Sequence, residues 1–260
     1  MKKSKAFGIS LLWILLFFGV QLAVSVAASF SSIAVNGIGD IADITGDALP
    51  ATLVLSNILT PLLALLIVKL GGNKLSSLGI KKISFSGICV SAVFALTLSP
   101  VISYLLEIIP IPDNIMEFYD TLMDMVVTED NMFSVLATVI FAPICEELIF
   151  RGAIFNTLHK GFSTVSSVLL TSFLFGLVHL NPVQSSYAFI LGIALNLVCI
   201  RFNSLWASIC CHMCFNLVGG YFDRTKYGQN VQTAILIVCG AIALSLCIWM
   251  AATNRKHSRR

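Results

Sequence analysis

The chain has 260 residues, of which 57% are hydrophobic and 11% charged, with a formal net charge of +3. Its mean hydropathy of +0.93 excludes a soluble globular domain, because too little polar surface is available to keep a fold of this length dispersed in water. The small positive excess is spread in short clusters that mark membrane topology, which argues against a nucleic-acid partner.

Apolar runs of about 20 residues, enough to cross a bilayer, recur along the chain. They predict eight spans, at residues 6–35, 49–70, 85–109, 132–155, 162–180, 183–200, 204–222 and 231–253. The expected fold class is therefore an all-α polytopic membrane bundle of about eight transmembrane helices. The first span also fits a signal peptide, with small residues near Ala28. Its apolar run is longer than an ordinary signal core, so an uncleaved span is expected.

With eight crossings, Lys2, Lys3, Lys5, Lys69, Lys74, Lys81, Lys82, Lys160, Arg201, Arg255, Lys256, Arg259 and Arg260 fall on one side. The positive-inside rule makes that side cytoplasmic and places both termini there. The plasma membrane of a prokaryote is the expected location. Asp40, Asp43, Asp47 and the acids from Glu107 to Asp130 fall on the other side, where only Arg224 and Lys226 break the pattern. The basic tail reads as a flank facing lipid headgroups.

Between spans three and four, Asp113, Glu117, Asp120 and Asp124 recur at spacings of four, three and four. That period puts the acids on one face of a short amphipathic helix at the outer surface, and the solvated face explains them without a calcium site. The eight cysteines all fall in predicted spans and read as small apolar packing groups. "CCHMC", from Cys210 to Cys214, lacks the second ligand pair a tetrahedral zinc site needs.

Span four contains "APICEELIFRG", whose Glu146 and Glu147 are the only two acids well inside a predicted span. Ionisable groups at that depth are expensive, and function is their default explanation. Glu147 and Arg151 stand at i and i+4 in the order that favours an ion pair along a helix, which leaves Glu146 without an obvious local partner. Pro143, three residues before Glu146, disturbs the preceding turn.

Span five carries Phe175 one turn before His179, with Asn181-Pro182 breaking the helix beside the imidazole. Asn196, in span six, is a further intramembrane amide that would line the same cavity. Span seven carries His212 and Asn216 at i and i+4, two hydrogen-bond donors for a developing oxyanion. Each pair alone also fits a structural hydrogen bond between helices. Converging, the three polar faces would hold a carboxylate, two imidazoles and an amide, a set able to activate water and stabilise a tetrahedral intermediate. One point stands against simple convergence. Counted from the loops, Glu146, His179 and His212 lie at depths that differ by more than a catalytic contact allows, unless the helices tilt.

At these residues the chain resembles the CPBP family, the CAAX protease and bacteriocin-processing enzymes, also called the Abi family. The family's three signatures read Glu146-Glu147-x-x-x-Arg151, Phe175-x-x-x-His179 and His212-x-x-x-Asn216, in family order and each on its own predicted span. The match runs from about Ala137 to Tyr221. The resemblance implies an integral-membrane endopeptidase in which Glu146 is general base on a water, assisted by His179. His212 and Asn216 would hold the oxyanion, and Glu147, Arg151 and Phe175 would shape the site.

The family is often labelled metalloprotease, so zinc held by Glu146, His179 and His212 is the alternative to a metal-free glutamate mechanism. No HExxH pair is present, and the metal-free reading is favoured, with no cofactor expected. The expected partners are membrane lipid and a membrane-tethered or hydrophobic peptide or protein. A non-catalytic scaffold or bacteriocin-immunity protein of the same fold, and a proton-coupled transporter, are the rival readings. The expected organisation is residues 1–131 as N-terminal spans and outer segment, 132–222 as catalytic core, and 223–260 as last span and basic tail.

Overall fold

The structure, a computed structural model, describes residues 1–36, 48–127, 131–221, 226 and 228–257. Asp40, Asp43, Asp47, Glu129, Asp130, Arg224, Arg259 and Arg260 lie outside the described residues, and so does the topology expected from their charges. In chain order the helices are α1 (Lys3–Asn36), α2 (Ala48–Leu70), α3 (Phe85–Ile108), α4 (Asp113–Val126), α5 (Met132–Leu158), α6 (Thr164–Leu177), α7 (Pro182–Phe202), α8 (Leu205–Tyr221) and α9 (Gln229–His257). No strand occurs among the described residues.

By length and composition, α1, α2, α3, α5, α7 and α9 can each cross a membrane, while α6 and α8 are shorter apolar helices. The protein is an integral-membrane, polytopic all-α bundle. Many large apolar side chains point outward, among them Leu15, Phe30, Leu62, Phe85, Phe173, Ile237 and Leu244. In a bilayer these meet acyl chains, so their exposure carries no hydrophobic penalty. Ser10, Thr60, Ser91, Thr97 and Ser172 return their hydroxyls to carbonyls one turn back on their own helices. This satisfies polar groups that lipid could not.

Each predicted span coincides with one of these apolar helices, but the fifth is cut short at both ends. α6 has 14 residues, about 21 Å of helix, less than a hydrocarbon core about 30 Å thick. At its start the Ser163 hydroxyl accepts the Ser166 amide at 3.2 Å. At its end Leu180 adopts a left-handed φ of 58°, and Asn181-Pro182 opens the next helix. The amphipathic helix expected from the acidic spacing is α4, which buries none of its residues.

The chain divides into two compact units. The first comprises Met1–Leu78 and Asp120–Ser167. Within it α2 packs along α1 and along most of α5, and α1 also meets the second half of α5, where Phe17 and Phe150 stack edge to face at 6.2 Å. The second comprises Gly79–Tyr119 and Val168–Arg260. Within it α3 packs on α8 and α9, and α7 packs on the same two helices. The α6–α7 contact relies on glycine: a Cβ at Gly176 would lie 2.6 Å from the Ser185 carbonyl oxygen, and one at Gly192 would lie 3.0 Å from Ser172 Cα. Small residues at such crossings are the usual route to close helix packing in lipid.

Candidate active site

In the first unit the carboxylates sit on α5, which is not a uniform α-helix. Leu136–Phe141 and Leu148–Phe155 are π-helical and flank one α-helical stretch, Ala142–Glu147. The Ala142 amide reaches back five residues to the Ala137 carbonyl, immediately before Pro143, whose missing N–H and bulky ring an α-helix would not accommodate. π-turns inside α-helices cost hydrogen-bond geometry and are found frequently at functional sites.

The ion pair expected from the i,i+4 spacing is present. Arg151 Nη1 donates to Glu147 Oε1 at 2.7 Å, and both side chains are fully buried. The second π-segment is braced by Asn156, whose Nδ2 donates to the carbonyls of Gly152 at 2.7 Å, Arg151 at 3.3 Å and Ser77 at 3.2 Å. Gly152 passes close to the Leu78 carbonyl, which leaves little room for a side chain. Glu146, next along the helix from this pair, is half-buried.

In the second unit the structure brings Phe175, His179 and His212 together. The fully buried Phe175 ring meets the His179 ring edge-on at 5.1 Å and the His212 ring edge-on at 5.7 Å. Its phenyl therefore sets the spacing of the two imidazoles, which answers part of the depth problem. His179 lies beyond the far end of α6 and His212 about two turns into α8, yet both touch one ring. Asn216 lies one turn beyond His212 on α8 and is half-buried. Glu146, Glu147 and Arg151 belong to the first unit.

The local reason for the Phe-x-x-x-His spacing is visible at the end of α6. The Val178 and His179 amides bond to the carbonyls of Leu174 and Gly176. That leaves the Phe175 carbonyl to the His179 side chain, with Nδ1 2.8 Å from the oxygen. A carbonyl only accepts, so Nδ1 carries the proton and Nε2 of the neutral ring is a bare acceptor. The imidazole caps the end of its own helix.

Asn196 plays a different part from the one expected. It is fully buried, and its Nδ2 donates to Ser172 Oγ at 3.2 Å and to the Gly192 carbonyl at 2.8 Å, tying α7 to α6. The sequence read Asn181 only as part of a helix breaker. Its side chain is in fact the N-cap of α7, a role the pattern Asn-Pro before an apolar run signals. The eight cysteines are unbridged.

Residues 128–218 match the family model described as type II CAAX prenyl endopeptidase Rce1-like. The match spans 91 of the 260 residues. All three motifs fall inside the Rce1-like match, in agreement with the CPBP resemblance. No curated protein and no solved structure matches the chain.

A catalytic zinc needs three protein ligands and an open fourth position. Among the described residues, no group of three or more His, Cys, Asp or Glu side chains is placed to hold a metal ion. Within the matched stretch the His179 Nδ1 is bonded to the Phe175 carbonyl, which leaves Nε2 as the ring nitrogen able to meet a metal or a water. Glu146, His179 and His212 would be the residues to hold such an ion, and no chemical step is built on one.

Proposed function

We propose that this protein, with residues 132–222 as its catalytic core, is a metal-free intramembrane endopeptidase. It hydrolyses a peptide bond in a membrane-tethered substrate, of which a prenylated protein ending in a CAAX-type sequence is the class the family description points to. Glu146 is the general base. It takes a proton from water while the water oxygen attacks the scissile carbonyl carbon. His179 accepts a hydrogen bond from the same water through Nε2 and orients it. The carbonyl oxygen becomes an oxyanion that receives hydrogen bonds from His212 and from Asn216 Nδ2, charge stabilisation that is usually the largest single catalytic contribution. As the C–N bond breaks, the proton held by Glu146 passes to the leaving nitrogen. The Glu147–Arg151 pair carries no proton; it holds the helix that presents Glu146.

The observation that carries this reading is the pair of imidazoles set on one phenyl ring, with the His179 tautomer selected by its own helix, inside a stretch matched to an endopeptidase family. A structural hydrogen bond between helices would not need a bare ring nitrogen. We further propose that both termini are cytoplasmic, in the plasma membrane of a prokaryote, and that no nucleic acid is bound.

The test is to compare cells carrying the wild-type protein with cells carrying Glu146→Gln at equal membrane abundance. Peptides or proteins that remain uncut only in the variant support the proposal and identify the substrate. Unchanged peptides together with full biological function in the variant would favour a scaffold or immunity protein.

A further inference from the structure

We infer that Asn181 is a positioning residue for His179, acting through the turn that joins α6 to α7. The inference rests on the reading of His179 given above. Between Leu177 and Pro182 the amides of Val178, His179 and Leu180 bond back to Leu174, Gly176 and Leu177, the last at 3.3 Å, and Leu180 stands at a left-handed φ of 58°. A branched side chain does not choose that conformation unaided.

The Asn181 side chain holds it. Its Oδ1 accepts the Gln184 amide at 2.7 Å, and its Nδ2 donates to the His179 carbonyl at 3.2 Å and to Gln184 Oε1 at 2.9 Å. The orientation of the amide follows from chemistry, because the Gln184 N–H can only donate and the two oxygens facing Nδ2 can only accept. Both Nδ2 hydrogens are used, and the residue is 2% exposed. One bond therefore starts α7, and another fixes the His179 peptide plane. The first turn of α7 packs closely on α6, since Gly176 lies against the Ser185 carbonyl.

The consequence reaches the imidazole. With the His179 peptide fixed, its ring has one comfortable partner, the Phe175 carbonyl, and Nδ1 keeps the proton. Free imidazole side chains prefer the opposite tautomer, so releasing the peptide shifts the proton towards Nε2. That removes the acceptor that orients the water.

Asn181→Ser keeps a capping oxygen for α7 and deletes both donors. Asn181→Asp keeps the side-chain shape and the cap and replaces the donors with an acceptor. The full-length protein, labelled with ¹⁵N-histidine in micelles, reports the His179 tautomer from its two ring nitrogen shifts, assigned by difference from His179→Gln. The wild type is expected to show a protonated Nδ1 and a bare Nε2. Both Asn181 variants are expected to move towards a protonated Nε2. On a farnesylated, internally quenched CAAX-type peptide they should lose about tenfold in kcat with KM within about twofold, as displaced groups do. Both variants lose two buried hydrogen bonds, so their unfolding midpoints should fall somewhat below the wild-type value.

A wild-type tautomer in both variants overturns the inference, whatever their rates. Undiminished cleavage by His179→Gln would overturn the role of His179 instead, and the tautomer measurement would still decide what Asn181 does.

Discussion

Replacing Glu147 with Gln removes one charge from a pair whose nearest atoms are 2.7 Å apart and whose side chains are both fully buried. At an effective dielectric constant of about 20, opposite unit charges at that spacing attract by roughly 4–6 kcal/mol. Most of that is offset by the desolvation of both groups, but a single substitution recovers only one desolvation penalty and strands the other charge. Glu147→Gln and Arg151→Met should therefore each cost about 3–5 kcal/mol. The double variant, which removes both charges, should recover most of the loss. Reversible unfolding in mixed micelles, followed by helical circular dichroism, measures all three. Single variants that cost under about 1 kcal/mol, or a double variant worse than the sum of the two, would refute the assignment of this pair to holding α5 together.

Glu146→Gln should leave the same unfolding midpoint within about 0.5 kcal/mol, as expected for a half-buried group whose work is chemical. Asn216→Ala should lower kcat about 10²–10³-fold with little change in KM, measured on the quenched peptide, because an oxyanion donor acts in the transition state. Gly176→Ala puts a Cβ 2.6 Å from a backbone oxygen and should cost about 1–3 kcal/mol in the unfolding assay. Prolonged treatment with a strong chelator should leave the cleavage rate unchanged and the purified protein free of stoichiometric zinc.

Much of this architecture was legible because lipid simplifies the problem. Spans such as 49–70 and 231–253 announce themselves by length and composition, and α4 by acids recurring at helical spacing. The Glu147–Arg151 pair follows from a spacing of four residues on any helix. The π-helical segments of α5 do not follow. In a stretch that is apolar on every side, hydrophobic periodicity offers no contrast between one turn length and another. The end of α6 at Leu177 does not follow for a related reason: Val178 and Leu180 carry apolar side chains up to the Asn181-Pro182 break, and nothing in the pattern marks the left-handed Leu180. At the candidate site, the motifs pointed to the residue types but not to Phe175 as the spacer of two imidazoles. That role depends on contacts between helices distant in sequence.

The central claim is that Glu146 removes the proton from the attacking water. Its most direct test is the rate at which purified full-length protein forms a new carboxyl terminus on the prenylated peptide, followed by mass spectrometry under single-turnover conditions. The account predicts cleavage by the wild type and a rate at least about 10²-fold lower for Glu146→Gln in equally folded protein. Cleavage by Glu146→Gln at the wild-type rate would contradict it.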